Sequence, residues 1–178
     1  MKDQALPADA PSQARLREAV SQLELARAKG QVSSPLVGAI SGKVFPLREN
    51  ALGLQSVSFV FREKGCQFTA KDLQGEYPIQ CGLGSWERGE TALPGTPPRL
   101  VSGGAPKPGT KAKVAASGAW KDANTLELLL RYYETPHHDT VTCEFNGGGV
   151  QIRFVSSIAQ MSTPANDQRP VLQARPSA

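Results

Sequence analysis

The feature that most constrains this chain is an alternation of apolar and polar residues with a period of two. It recurs segment after segment from about residue 37 to residue 154. In 54–61, Val57, Phe59 and Phe61 share one side; in 65–71, Cys66, Phe68 and Ala70 do. Tyr77, Ile79 and Cys81 follow in 76–81, and the pattern continues through 112–120. Leu126, Leu128, Leu130 and Tyr132 mark 125–133, then come Val141, Cys143 and Phe145, then Val150, Ile152 and Phe154. Successive side chains of a strand point to opposite faces, so this is the pattern of a sheet with one buried face.

The links between these segments are short and rich in turn formers: Arg62-Glu63-Lys64-Gly65, Leu73-Gln74-Gly75, Asp122-Ala123-Asn124 and Asn146-Gly147-Gly148-Gly149. Parallel strands need long crossovers, so short links predict antiparallel neighbours. The expectation is a mostly β fold, an antiparallel meander of about seven or eight strands. A meander of that size hides its edges by curling into a barrel or a strongly curved sheet, a lipocalin-like shape being one form.

One amphipathic helix is expected at the N-terminal end, over residues 11–29. Pro11 and Ser12 give start signals and Gly30 a stop. Leu16, Val20, Leu23 and Ala26 form a stripe that must cover a sheet or a neighbouring domain. The organisation that follows is a disordered lead over 1–10, a single β domain over 11–158, and a disordered tail over 159–178 containing Pro164, Pro170 and Pro176. Residues 94–110, dense in Pro and Gly, interrupt the meander as a flexible surface loop without a residue suited to chemistry. A faint echo links Gly84-Ser85-Trp86 with Gly118-Ala119-Trp120. Both read as strand–turn–strand corners in which a Trp plugs the core, the alternative being a ligand-stacking pair.

Composition narrows the partners. The 178 residues carry 20 Lys and Arg against 16 Asp and Glu, a formal charge of +4. The basic residues are scattered beside acids, as in Arg62-Glu63-Lys64, so no nucleic-acid footprint is expected. No apolar run approaches the ~18 residues of a membrane helix, and no apolar signal core follows Met1. That leaves the compartment unassigned.

Chemistry is sparse. Cys66, Cys81 and Cys143 sit among apolar neighbours and read as small buried hydrophobes, with a Cys66–Cys81 bridge across a hairpin left open. His137-His138-Asp139 holds both histidines, but adjacent strand residues face opposite ways and a metal needs converging ligands. It reads as a polar turn after Pro136. A triad of a histidine with Ser85 or Ser117 is open on spacing alone, although no Gly-x-Ser-x-Gly elbow occurs. Gly147-Gly148-Gly149 lacks the Lys and helix of a phosphate loop, and Glu127 and Glu134 lie too far apart for an acid/base pair. No catalytic, cofactor-binding or metal-ligating residue is therefore assigned.

A resemblance is carried by three stretches. These are Ile40-Ser41-Gly42-Lys43-Val44-Phe45 with Asn50-Ala51-Leu52-Gly53-Leu54, then Cys81 through Thr91, and most strongly Val114 through Leu126 with Tyr133-Glu134-Thr135-Pro136 and Asp139 through Phe145. Over about residues 11–158 the chain resembles the C-terminal β region that follows the catalytic domain in some bacterial serine hydrolases of the β-lactamase/penicillin-binding-protein family. Such hydrolases use S-x-x-K, Tyr-x-Asn or Tyr-x-Ser, and Lys-Thr-Gly or His-x-Gly motifs. Here no Ser has a Lys three residues on, Tyr132-Tyr133-Glu134 is not Tyr-x-Asn, and Lys107-Pro108-Gly109-Thr110 is not Lys-Thr-Gly. The resemblance thus implies a non-catalytic accessory domain that packs on, or shapes access to, a serine hydrolase catalytic domain in cis or in trans. It carries no catalytic residue over. A stand-alone β-barrel binding a small apolar ligand is the alternative, and an enzyme with a site around His137 and His138 is a third.

Overall fold

The computed structural model describes residues 9–93, 109–161, 163–164 and 166–174. Its elements run α1 (Ala10–Ser21), α2 (Val37–Ile40), β1 (Val44–Pro46), β2 (Ser56–Arg62), β3 (Gly65–Lys71), β4 (Glu76–Leu83) and β5 (Glu87–Thr91). Then come β6 (Ala112–Trp120), β7 (Thr125–Arg131), β8 (His138–Asn146), β9 (Gly149–Ser156), a 3₁₀ turn (Ala159–Met161) and β10 (Leu172–Gln173).

All ten strands join one strongly curled sheet in the order β1-β2-β3-β4-β6-β7-β8-β9-β10, with β5 added on β6. The hairpins β2–β3, β3–β4, β6–β7 and β8–β9 are antiparallel across the short turns expected from the sequence, and β7–β8 is antiparallel across the loop 132–137. Their register places the alternating apolar residues opposite one another: Phe59 faces Phe68, Leu128 faces Val141 and Cys143 faces Ile152. One contact departs from the meander. β4 and β6 run parallel, pairing only Gly82 with Ser117 and Leu83 with Gly118, while β5 takes the start of β6 from Ala112 to Ala116. The two outer strands of the curl meet at one point. There Leu47 and Ala174 form an antiparallel bridge and the Arg48 N–H donates to the Gln173 carbonyl at 2.8 Å.

The inside of the curl is packed with aromatic rings. Phe145 lies 5.2 Å from Phe59, 5.8 Å from Trp120 and 6.0 Å from Phe45, centroid to centroid, and Phe61 stacks on Trp120 at 5.6 Å. These separations suit edge-to-face and offset stacking. Leu126, Leu128, Leu130, Val141, Cys143 and Ile152 complete a core without solvent exposure.

Three expectations are corrected. The helix spans 10–21, not 11–29. The Asp9 carboxylate caps it by accepting the Ser12 N–H, and Pro11 sits in its first turn. The chain leaves the helix at Gln22 because residues 25–31 are held elsewhere. The Leu25 carbonyl accepts the Trp86 indole N–H at 3.2 Å, Arg27 donates to the Gly84 carbonyl, and Gln31 pairs with Trp120. Gly30 permits that last pairing, since a Cβ there would overlap the Trp120 carbonyl. The helix stripe, moreover, covers nothing among the described residues: α1 contains no buried residue.

Second, in the tail 159–178 the described residues are built into the sheet. Leu172 is buried, β10 pairs with β9, and Asp167 and Arg169 make close polar contacts with the body. Third, the two Trp residues are not equivalent. Trp120 fills the core, whereas Trp86 lies half-buried on the outside with the Arg131 guanidinium 5.9 Å from its ring. The expected loop over 94–110 lies, up to residue 108, outside the described residues.

Candidate functional site

The histidine cluster is split by the start of β8. His137 is buried; its N–H donates to Thr135 Oγ1 at 3.2 Å and its carbonyl accepts the Tyr132 N–H at 3.1 Å, closing the loop between β7 and β8. It is a buried residue of that loop. The side-chain Nε2 of His137 has no partner among the described residues. His138, opposite Arg131 on β7, is only half-buried. Burial, and then the nearby Arg131 charge, pull its basicity below that of an ordinary histidine.

Asp139 turns the other way, into the core, and holds the strongest electrostatic feature of the chain. Arg169 grips it with both terminal nitrogens, Nη1 to Oδ2 at 2.9 Å and Nη2 to Oδ1 at 2.8 Å. The same guanidinium reaches Asp167 through Nε at 2.9 Å and Nη2 at 2.7 Å, and lies 5.1 Å from the Phe154 ring. Asp167 in turn accepts the Ser156 N–H at 2.7 Å. The hydrogen bonds from Arg169 hold the Asp167 carboxyl far below the usual carboxylate range. Planar bidentate pairing of this kind fixes geometry as well as charge. The cluster straps the tail to β8 and β9 through Asp139 and the Ser156 N–H.

The three thiols are buried. Cys66 and Cys81 are cross-strand partners, but they and Cys143 are buried free thiols. Burial first, and the neighbouring thiols second, push all three thiols up and away from the reactive thiolate. Ser117 is fully buried and its Oγ has no hydrogen-bond partner. Among the described residues neither Ser85 nor Ser117 hydrogen-bonds to a histidine, and no three His, Cys, Asp or Glu side chains gather as metal ligands.

Two surfaces remain. The first is the N-terminal arm, residues 9–29, on which Leu16, Val20, Leu23 and Leu25 are 64, 55, 77 and 62% exposed. The second is a half-open cleft of about 300 Å³ at one end of the curl. Leu36, Ala39 and Ile40 from the α2 region form one wall, Phe45 and Phe145 the floor, and Asn124 with the Asn146–Gly149 turn the opposite rim. Lys43 stands over it as the one charged side chain in the lining. Sequence reasoning did not find this cleft, since four separate segments build it. The only local signal was the Asn-Gly-Gly-Gly turn. Set beside protein families, curated proteins and solved structures, the chain matches none of them.

Proposed function

We propose that this chain is a non-catalytic accessory β domain that docks on a serine hydrolase catalytic domain, in cis or in trans, through its N-terminal arm. The observation that carries the reading is the exposure of the arm's apolar residues. Leu16 and Val20 lie one turn apart on α1 and Leu23 and Leu25 follow, all open to solvent. Exposed apolar surface of this kind is a mark of an interaction site. The arm is anchored at its base through Arg27–Gly84, Leu25–Trp86 and Gln31–Trp120, so it presents its apolar residues from a fixed root. The resemblance of residues 81–91 and 114–145 to the β region appended to such hydrolases names the partner class. The buried thiols, pushed away from the thiolate, support a role without cysteine chemistry.

The test is isothermal titration of the whole chain into a purified S-x-x-K hydrolase catalytic domain that lacks its own C-terminal β region. The reading predicts a Kd near about 1 µM, with a negative heat-capacity change from apolar burial. Leu16→Glu with Val20→Glu weakens binding at least about tenfold, while unfolding stability moves by no more than about 0.5 kcal/mol, as for surface substitutions generally. Absence of heat across the titration, or equal binding by the double variant, would refute the reading.

A further inference from the structure

We propose that the cleft at the end of the curl is a binding site for a small amphiphilic anion, an apolar chain or ring ending in a carboxylate. This goes beyond the docking role and does not depend on it. The interior is filled by Phe45, Phe59, Trp120 and Phe145, so a ligand has to seat where the packing ends. That place is the cleft, whose about 300 Å³ lies at the low end of small-molecule sites. Its floor is apolar and aromatic, as such sites usually are.

The polar groups at its rim set the sign of the ligand's charge. Lys43 is exposed and forms no ion pair among the described residues. No Asp or Glu lines the cleft. The Gly147 and Gly148 residues have φ of 56° and 84°, the left-handed pair of a tight hairpin turn. Neither of their N–H groups donates to a backbone or side-chain group among the described residues. With no Cβ on either residue, and nothing within 4 Å of where one would stand, the backbone there is open to approach. Successive free N–H groups in a turn favour anions. An unpaired ammonium across a shallow apolar trough adds to the same field, and one-signed walls concentrate the opposite charge. The carboxylate would lie between Lys43 and the turn, with its apolar part against Phe45, Phe145 and Ile40.

The experiment is a two-dimensional ¹H–¹⁵N titration of the full chain with octanoate, octylammonium and octanol. Octanoate is expected to saturate with a Kd below about 1 mM, moving the amides of residues 43–45 and 145–149. Octylammonium should bind at least tenfold more weakly, with octanol between. Lys43→Glu should lower octanoate affinity at least tenfold and reverse the charge preference. Ala39→Trp, an exposed substitution that fills the trough, should remove binding of all three while leaving the remaining amide spectrum in place. Equal affinity for the three probes, shifts centred outside the cleft, insensitivity to Lys43→Glu, or no binding at several times that concentration would each overturn the proposal.

Discussion

Replacing Arg169 by methionine should be among the most damaging single changes in the chain. The substitution removes the guanidinium over the Phe154 ring and four N–H···O contacts to Asp139 and Asp167, of 2.7 to 2.9 Å. The Asp139 side chain is only 2% exposed. Its one other side-chain donor is the Tyr132 hydroxyl, at a long 3.4 Å. Removing one partner of a buried ion pair leaves an uncompensated charge and costs about 3–5 kcal/mol. A domain of this size has about 5–15 kcal/mol in total. Urea unfolding followed by tryptophan fluorescence reads the loss, because Trp120 is wholly buried beside the rings that would loosen. Adding Asp139→Asn to Arg169→Met neutralises the stranded carboxylate and should restore about 1–3 kcal/mol. Lys113→Ala serves as the control: its pair with Glu134 is nearly as short, at 3.0 Å, but both side chains are more than 40% exposed. It should cost less than about 1 kcal/mol. An Arg169→Met loss no larger than that of Lys113→Ala would refute the reasoning.

The other predictions concern packing and pH. Gly30→Ala should destabilise by about 1–3 kcal/mol, because a Cβ there meets the Trp120 carbonyl; thermal unfolding checks it. Phe145→Ala should cost about 3–5 kcal/mol, since its ring touches those of Phe45, Phe59 and Trp120. His138 is less basic folded than unfolded, so the unfolded chain takes up its proton first. Stability should therefore fall as pH drops through about 6.5, and His138→Gln should flatten that step in urea titrations from pH 8 to pH 5. Asp167 is more acidic folded than unfolded, so its contribution is complete above about pH 3.9 and is lost as pH falls below that, a second loss that Asp167→Asn should abolish.

Much of the sheet could be read from the chain because each hairpin satisfies its own pattern. Leu126, Leu128 and Leu130 had to face Trp120, Gly118 and Ala116 once the Asp122–Asn124 turn fixed the neighbours. What could not be read depends on contacts far along the sequence. Residues 22–29 are good helix formers, yet the hold of Gly84, Trp86 and Trp120 on residues 25–31 outweighs that preference. Strand β5, Glu-Arg-Gly-Glu-Thr, has four exposed residues of five and no alternation; it is a strand because β6 offers it hydrogen-bonding partners. The tail shows no strand alternation, and its place is set only once Arg169 lies beside Asp139, thirty residues earlier in the chain. Likewise, the cleft exists only once α2, β1 and two hairpin turns converge at one end.

The most direct test of the proposed docking role is an initial-rate assay with a chromogenic ester and a chromogenic β-lactam. It is run on the S-x-x-K catalytic domain alone, on this chain alone, and on the two mixed. The account predicts that the chain alone turns over neither substrate and that its addition changes the hydrolase's kcat/KM, an effect the arm variant Leu16→Glu/Val20→Glu loses. Turnover by the isolated chain that disappears on substituting Ser117 or His137 would contradict it.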